Sequence, residues 1–307
     1  GEPITLSSLL AFWKPSTQMS DGVNNSVLIN SHYTITADAQ CPTHITNTIS
    51  TDYPDYLLLS GLLSGSHSYP YQELISKSVV IMPDYEGYGV SVDRTHPYLA
   101  EALTAQQVVD GVRIGLLVYQ DLVDSGNAPQ LADDWRSFSV GYSQGGAVAL
   151  TVQRHIEQND LSEELRFRGT LCGDGPYDLI TTLRYYMEDD GNSYGVTTDH
   201  TAGLATLPVV LPMILKGMID SDPAMADYQL TDYFTEDFLA TGIMDWLDSK
   251  TLTNKQIATA WLEQLNYGTT TVNNITYPAP PTMSQMFSEH QVSTALGIGT
   301  EAAPWAD

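Results

Sequence analysis

The chain has 307 residues, of which 42% are hydrophobic and 16% charged, enough to bury one sizeable core and too apolar for a disordered or coiled-coil chain. Acidic residues number 37 against 12 basic ones, a net charge of −25, which repels phosphate backbones and excludes nucleic acid as a partner and polybasic attachment to anionic lipid. The most apolar stretch, 204–219, is shorter than the roughly 20 residues of a membrane span and holds two prolines and a lysine, so no transmembrane segment is expected.

In chain order, residues 26–31 (SVLINS) read as a strand entering a polar loop, 32–48. Residues 56–64 read as a short helix. Residues 77–83 (KSVVIMP) form a short β-branched run ending in proline, the pattern of a buried strand, and a turn-rich DYEGYG follows. Helical spacing covers 98–122 through Leu99, Leu103, Val108, Val112, Leu116 and Leu117. Strand 136–142, helix 144–157 and strand 167–173 come next. Alternating strands and helices from about residue 77 to 185 imply a mostly parallel sheet with helices on both faces. From 202 to 264 only helical patterns occur, which reads as a helical cap inserted after the strand near 167–173. A hairpin is expected around Asn273-Asn274, and a helix over 283–296.

The most specific motif is Gly141-Tyr142-Ser143-Gln144-Gly145, a G-x-S-x-G sequence between a predicted strand and a predicted helix. A serine on such a turn projects its hydroxyl above the sheet. The following N–H, of Gln144, stands at a helix start and faces a developing oxyanion. Glycines at 141 and 145 leave room where side chains would collide. Ser143 is therefore the candidate nucleophile.

A serine needs a base, and the base needs an acid to hold its tautomer. Three histidines follow Ser143. His155 lies about 18 Å down the nucleophile helix and cannot reach. His200 falls inside the predicted cap, and chain order favours His290 as base. His96 precedes the serine and reads as structural. No acid is singled out; Asp174, directly after a strand, is the candidate pocket carboxylate, and Asp178 reads as a helix cap. No strand is predicted before His290, so the chain is expected to stop short of the last strands of its fold, with His290 as base or a divergent site as alternatives.

The segments 83–91 (PDYEGYGVS), 96–99 (HPYL), 141–146 (GYSQGG) and 175–179 (GPYDL) resemble the α/β-hydrolase superfamily, and more narrowly the fungal secretory lipase group and its bacterial relatives. The resemblance covers residues 25–185 well and the cap loosely. It implies an α/β-hydrolase core at 1–185, a helical cap at 186–267 and a return towards the core at 268–307. It implies a secreted or envelope-associated hydrolase of small-molecule or lipid esters. It also implies an oxyanion N–H on the loop after strand 26–31, near His32, Tyr33 and Thr34, with the loop 61–68 as alternative. Tyr33 is the candidate donor, and Tyr142, Asp84 and Asp174 are candidate pocket residues, the Asp84 turn shaping the pocket floor. A serine peptidase of the same fold, or a binding protein that has lost catalysis, remain the alternative functions. No histidine stands at ligand spacing to a cysteine or carboxylate, and no nucleotide loop occurs, so no metal and no cofactor are expected. Cys41 and Cys172 read as two thiols or a single disulfide.

Overall fold

A computed structural model describes residues 3–13, 23–45, 77–182, 209–265, 269–272, 275–278 and 286–287. The chain divides into two compact units, 1–176 and 177–307.

The first unit holds a five-stranded sheet in the order β1-β3-β2-β4-β5. Its strands are β1 (Ser8–Phe12), β2 (Val23–Ser31), β3 (Ser78–Pro83), β4 (Gln130–Tyr142) and β5 (Phe167–Gly173). The pairs β2–β3, β2–β4 and β4–β5 are parallel, and β1 runs antiparallel on the β3 edge. Helix α1 (Glu101–Asp124) connects β3 to β4, and α2 (Gln144–Gln158) connects β4 to β5. The chain thus leaves β2 towards β3 on one side and β4 towards β5 on the other. A crevice opens at the carboxyl ends of parallel strands where the winding reverses in this way, here between the ends of β2 and β4.

Period-two alternation sorts the strand side chains. Val27, Ile29, Val79 and Ile81 face α1 and α2, while Leu28, Val80 and Met82 build a second cluster on the opposite face. The helices answer at three- and four-residue steps: Ala105, Val108, Val109 and Val112 from α1, and Val148, Val152 and Ile156 from α2. Among the described residues both helices lie on this one face. The buried stripe of α1 differs from the predicted one. Leu117 and Leu103 are exposed, and Leu99 precedes the helix with a positive φ of 59°. Strand β4 starts six residues earlier than predicted because Val23 and Asn24 pair with Gln130 and Leu131, with the extra residues 132–135 bulging from β4 before pairing resumes at Ser26 and Arg136. Tyr119 locks that extension, donating to the Pro129 carbonyl at 2.6 Å and accepting from the Asn24 amide at 2.7 Å.

Thr151 on α2 donates to the Glu101 carboxylate at the start of α1 (3.0 Å). Burial raises the Glu101 carboxyl above its ordinary value, against the opposing pull of Thr151 and Arg154.

The second unit is helical, then a hairpin, in its described residues. Helices α3 (Val210–Ser221), α4 (Leu230–Tyr233), α5 (Glu236–Leu239), α6 (Ile243–Ser249) and α7 (Asn254–Leu265) precede β6 (Thr269–Val272) and β7 (Ile275–Pro278). Pro212 sits in the first turn of α3, where its missing N–H breaks no helical bond. Phe234 lies between Phe238 and Phe287, with ring centroids 4.8 and 4.9 Å away. Lys216 joins α3 to α6 through Asp248 at 3.2 Å. Asp178 accepts the Thr181 N–H at 3.0 Å, the helix-capping role expected of it. Among the described residues no helix is long and apolar enough to cross a membrane. The helices predicted over 56–64 and 283–296 fall outside the described residues, apart from Met286 and Phe287.

Ile156 is fully buried on α2, so Ile156→Ala should lower the unfolding free energy by about 2–5 kcal/mol in urea titration. Glu101 holds its proton more tightly when folded, so stability contributed by the protonated form is lost as pH rises through the window above the ordinary carboxyl value. Glu101→Gln should therefore be more stable than wild type at about pH 7, with the gap closing towards about pH 4 in parallel melts.

Candidate active site

Ser143 occupies the turn between β4 and α2 with φ 55° and ψ −124°. This backbone conformation is costly for any residue with a Cβ and persists only where surrounding contacts impose it. The Ser143 N–H donates to the Gly173 carbonyl at the end of β5 (2.9 Å), and its carbonyl accepts from Gly146 (2.9 Å) and Ala147 (3.2 Å). Two glycines make the turn sterically feasible. A Cβ at Gly145 would overlap the Ser31 carbonyl oxygen and come within 2.7 Å of that of His32, and one at Gly141 would collide with the Gly145 carbonyl. The turn is packed directly on the end of β2, whose Ser31 pairs with Gly141.

Gln144 is the first residue of α2, so its N–H has no acceptor within the helix. Its buried side chain is drawn away from the turn, its amide lying 2.8 Å from His96 Nε2. The other ring nitrogen of His96, Nδ1, donates to the Glu86 carbonyl at 2.8 Å, which makes Nε2 the acceptor and fixes the Gln144 amide as donor. The Glu86 carboxylate, also buried, binds Arg94 at 2.6 Å and Gln107 at 2.8 Å. His96 therefore holds the residue after the nucleophile, a link that the sequence alone did not show.

Tyr33 is half-buried, two residues beyond the end of β2, on a loop anchored by tyrosine hydroxyls. Tyr88 donates to the Ile35 carbonyl at 2.6 Å, Tyr85 to that of His32 at 3.3 Å, and Tyr98 meets the Thr34 hydroxyl at 2.7 Å. Burial pushes the Tyr98 hydroxyl up to about 12 and raises that of Tyr88 as well, so both stay protonated. The rings of His32 and Tyr85 lie 4.1 Å apart, and Tyr85 stacks on His96 at 5.9 Å.

Asp84 is fully buried. Its carboxylate accepts from the Thr43 N–H at 2.9 Å, from the Thr43 hydroxyl and from the Ser7 hydroxyl. It ties the segment before β1 and the loop after β2 to the end of β3. Tyr142 and Asp174 are exposed beside the nucleophile, and the Tyr142 hydroxyl donates to Asp174 at 3.1 Å. That hydrogen bond, with the carboxylate charge, raises the tyrosine hydroxyl above its ordinary value. His155 lies in the last turn of α2. His200, His290 and the alternative loop 61–68 lie outside the described residues. Both cysteines are free thiols.

One grouping was not read from the sequence. Asp38, Cys41 and His44 bring a carboxylate, a thiol and an imidazole within 4.8 Å of one another. The spacing is three residues at each step, and consecutive 3-10 turns stack residues i and i+3. The sequence showed 32–48 only as a polar loop, in which the two 3-10 turns leave no signal.

No protein-family model matches the sequence, and no curated protein does. Solved structures match it at low identity. The rice cell wall degrading esterase LipA from Xanthomonas oryzae superposes with a TM-score of 0.60 at 20% identity, over 98% of this chain and 64% of that one. The fold is that of the α/β-hydrolases. A candidate hydrolase from Legionella pneumophila shares this α/β-hydrolase fold with a TM-score of 0.59 at 17% identity, over 95% of this chain and 61% of that one. Candida antarctica lipase A does so with 0.51 at 15%, over 98% and 54%. The chain thus spans less than two thirds of the length of these α/β-hydrolase structures.

Because Gly145 packs against two carbonyl oxygens at the end of β2, Gly145→Ala should fail to form the turn. The expected outcome is a large loss of folded protein, read by circular dichroism and thermal melting. Exposed Leu150→Ala, on the same helix, should melt within a few degrees of wild type.

Proposed function

We propose that this protein is a serine hydrolase of carboxylic esters, acting through an acyl-enzyme on Ser143. The observation that carries the reading is the strained backbone of Ser143 at the strand-to-helix turn, held there by glycines that a merely structural βα turn does not require. The likeness to an esterase and a lipase supports it.

In this reading the Ser143 hydroxyl attacks the ester carbonyl. The oxyanion that forms is met by the Gln144 N–H at the α2 start and by the Tyr33 N–H on the loop after β2. His290 takes the serine proton and passes it to the leaving alcohol; water then attacks the acyl-enzyme by the same route in reverse. His96 keeps the Gln144 peptide in place without touching substrate. The hydrogen-bonded Tyr142–Asp174 pair lines the mouth beside the serine. Residues 186–267 serve as a cap, and the substrate is a small-molecule or lipid ester met outside the cell or in the envelope.

A fluorophosphonate probe, mapped by intact mass and peptide analysis, tests the reading. Ser143 should be labelled alone, Ser143→Ala should not label, and its p-nitrophenyl ester turnover should fall by about 10³-fold or more. His290→Ala should label far more slowly. Folded wild-type protein that resists the probe would refute an activated serine, and rapid labelling of His290→Ala would remove that histidine from the base role.

A further inference from the structure

The loop after β2 turns twice into 3-10 helix, at Asp38–Gln40 and Pro42–His44, with Cys41 ending the first turn and opening the second. The Cys41 N–H donates to the Asp38 carbonyl and the His44 N–H to the Cys41 carbonyl, both at 3.0 Å. This three-residue repeat stacks Asp38, Cys41 and His44 on one side of the loop. His44 Nδ1 lies 3.5 Å from Cys41 Sγ and 3.2 Å from Asp38 Oδ2, and Sγ lies 3.9 Å from Asp38 Oδ1.

We propose that Asp38, Cys41 and His44 form a binding site for a zinc-class transition-metal ion, independent of the serine chemistry. Tetrahedral zinc with bonds of about 2.3 Å to sulfur and about 2.0–2.1 Å to nitrogen and oxygen sets ligand-to-ligand edges of about 3.6 Å for S···N and about 3.3 Å for N···O. The observed 3.5 and 3.2 Å are close to these edges, and His44 Nδ1 would exchange its 2.9 Å hydrogen bond to the Asp38 carbonyl for the bond to the ion. A Cys-His-Asp relay of the catalytic kind is a different arrangement, because there the acid and the nucleophile sit on opposite nitrogens of the ring. Here both converge on Nδ1, as donors around one ion do.

Donor chemistry selects the metal. A thiolate with an imidazole favours zinc and its soft neighbours over calcium or magnesium, which take oxygen ligands. Electrostatics points the same way. The buried Asp84 carboxylate beside the loop is met by hydroxyls and an N–H, with no cation among the described residues. A divalent ion supplies the positive charge this pocket lacks and displaces the thiol proton. Asp38 is pre-aimed: its Oδ1 accepts the Gly89 N–H at 2.7 Å, leaving Oδ2 towards His44. The His44 side chain is 45% exposed, so an ion has a route in, and water completes the fourth position. The bound ion would clip the loop that carries Tyr33 to the turn at Gly89.

The test uses the full chain freed of metal by chelator and titrated with zinc against a chromogenic chelator, with thermal melts alongside. Cobalt substitution reports the thiolate through its charge-transfer band. One equivalent of zinc should bind at micromolar or tighter affinity and raise the melting temperature, and cobalt should show the thiolate band. Cys41→Ser should abolish that band. His44→Ala, at an exposed position, should weaken zinc at least tenfold while keeping the wild-type circular dichroism, and His155→Ala should bind as wild type does. No zinc bound at micromolar concentration, or undiminished binding by His44→Ala, would overturn the site. If Cys41→Ser does not fold, His44→Ala and the cobalt spectrum of the wild-type chain decide.

Discussion

The closest constraint in the first unit is the contact between the start of α2 and the end of β2. Gly145 lies against the carbonyl oxygens of Ser31 and His32, with no space for a methyl group. That contact lets the helix begin directly above the sheet, and it forces the preceding residue, Ser143, into a conformation with φ 55°. The cost of that backbone is borne by the Ser143 N–H bond to the Gly173 carbonyl, by the Gly146 and Ala147 N–H bonds to the Ser143 carbonyl, and by the buried face of α2. The strain at the serine is thus a consequence of packing two rigid elements, β2 and α2, closer than side chains permit elsewhere.

A second layer of contacts holds the surroundings of that turn. The segment from Asp84 to Tyr98 works from both ends of the crevice. Its tyrosine hydroxyls bind two carbonyls and the Thr34 hydroxyl of the loop after β2, and its His96 binds the side chain of Gln144. Buried hydroxyls that find carbonyl partners cost little to bury and fix position sharply, since the alternative is an unsatisfied polar group in a dry environment. Asp84 does the same with charge, gathering Ser7 and Thr43 around one carboxylate. The two loops flanking the nucleophile are therefore one hydrogen-bonded body rather than separate surface turns.

The parallel core was legible because its signals are local. The run 77–83 is short, apolar and bounded by a turn, and the G-x-S-x-G motif names its own context. Strand β1 was not legible. Its SLLAF has no alternation, and it becomes a strand only by pairing antiparallel with β3. The extra length of β4 depends likewise on β2 reaching back to Gln130. In α1 the predicted stripe was right at Val108 and Val112, and packing on Val79 and Ile81 added Ala105 and Val109 and left Leu103 and Leu117 exposed. The Asp38-Cys41-His44 grouping was hidden because its three-residue period belongs to a 3-10 turn, a conformation too short to leave a hydrophobic repeat.

The sequence by itself determined the class of fold, the nucleophilic serine as candidate and the need for glycine on either side of it, because these follow from periodicity and from steric rules acting over a few residues. Only the tertiary structure decided what surrounds the serine. His96 and Gln144 are 48 positions apart, and Tyr88 and Tyr85, which anchor the loop at Tyr33, are each 53 positions from the carbonyl they bind. Their partnership depends on the order of strands in the sheet, which brings the ends of β2, β3 and β4 to one edge. No local pattern encodes that order, because it is selected by how all the strands and helices bury their apolar faces together.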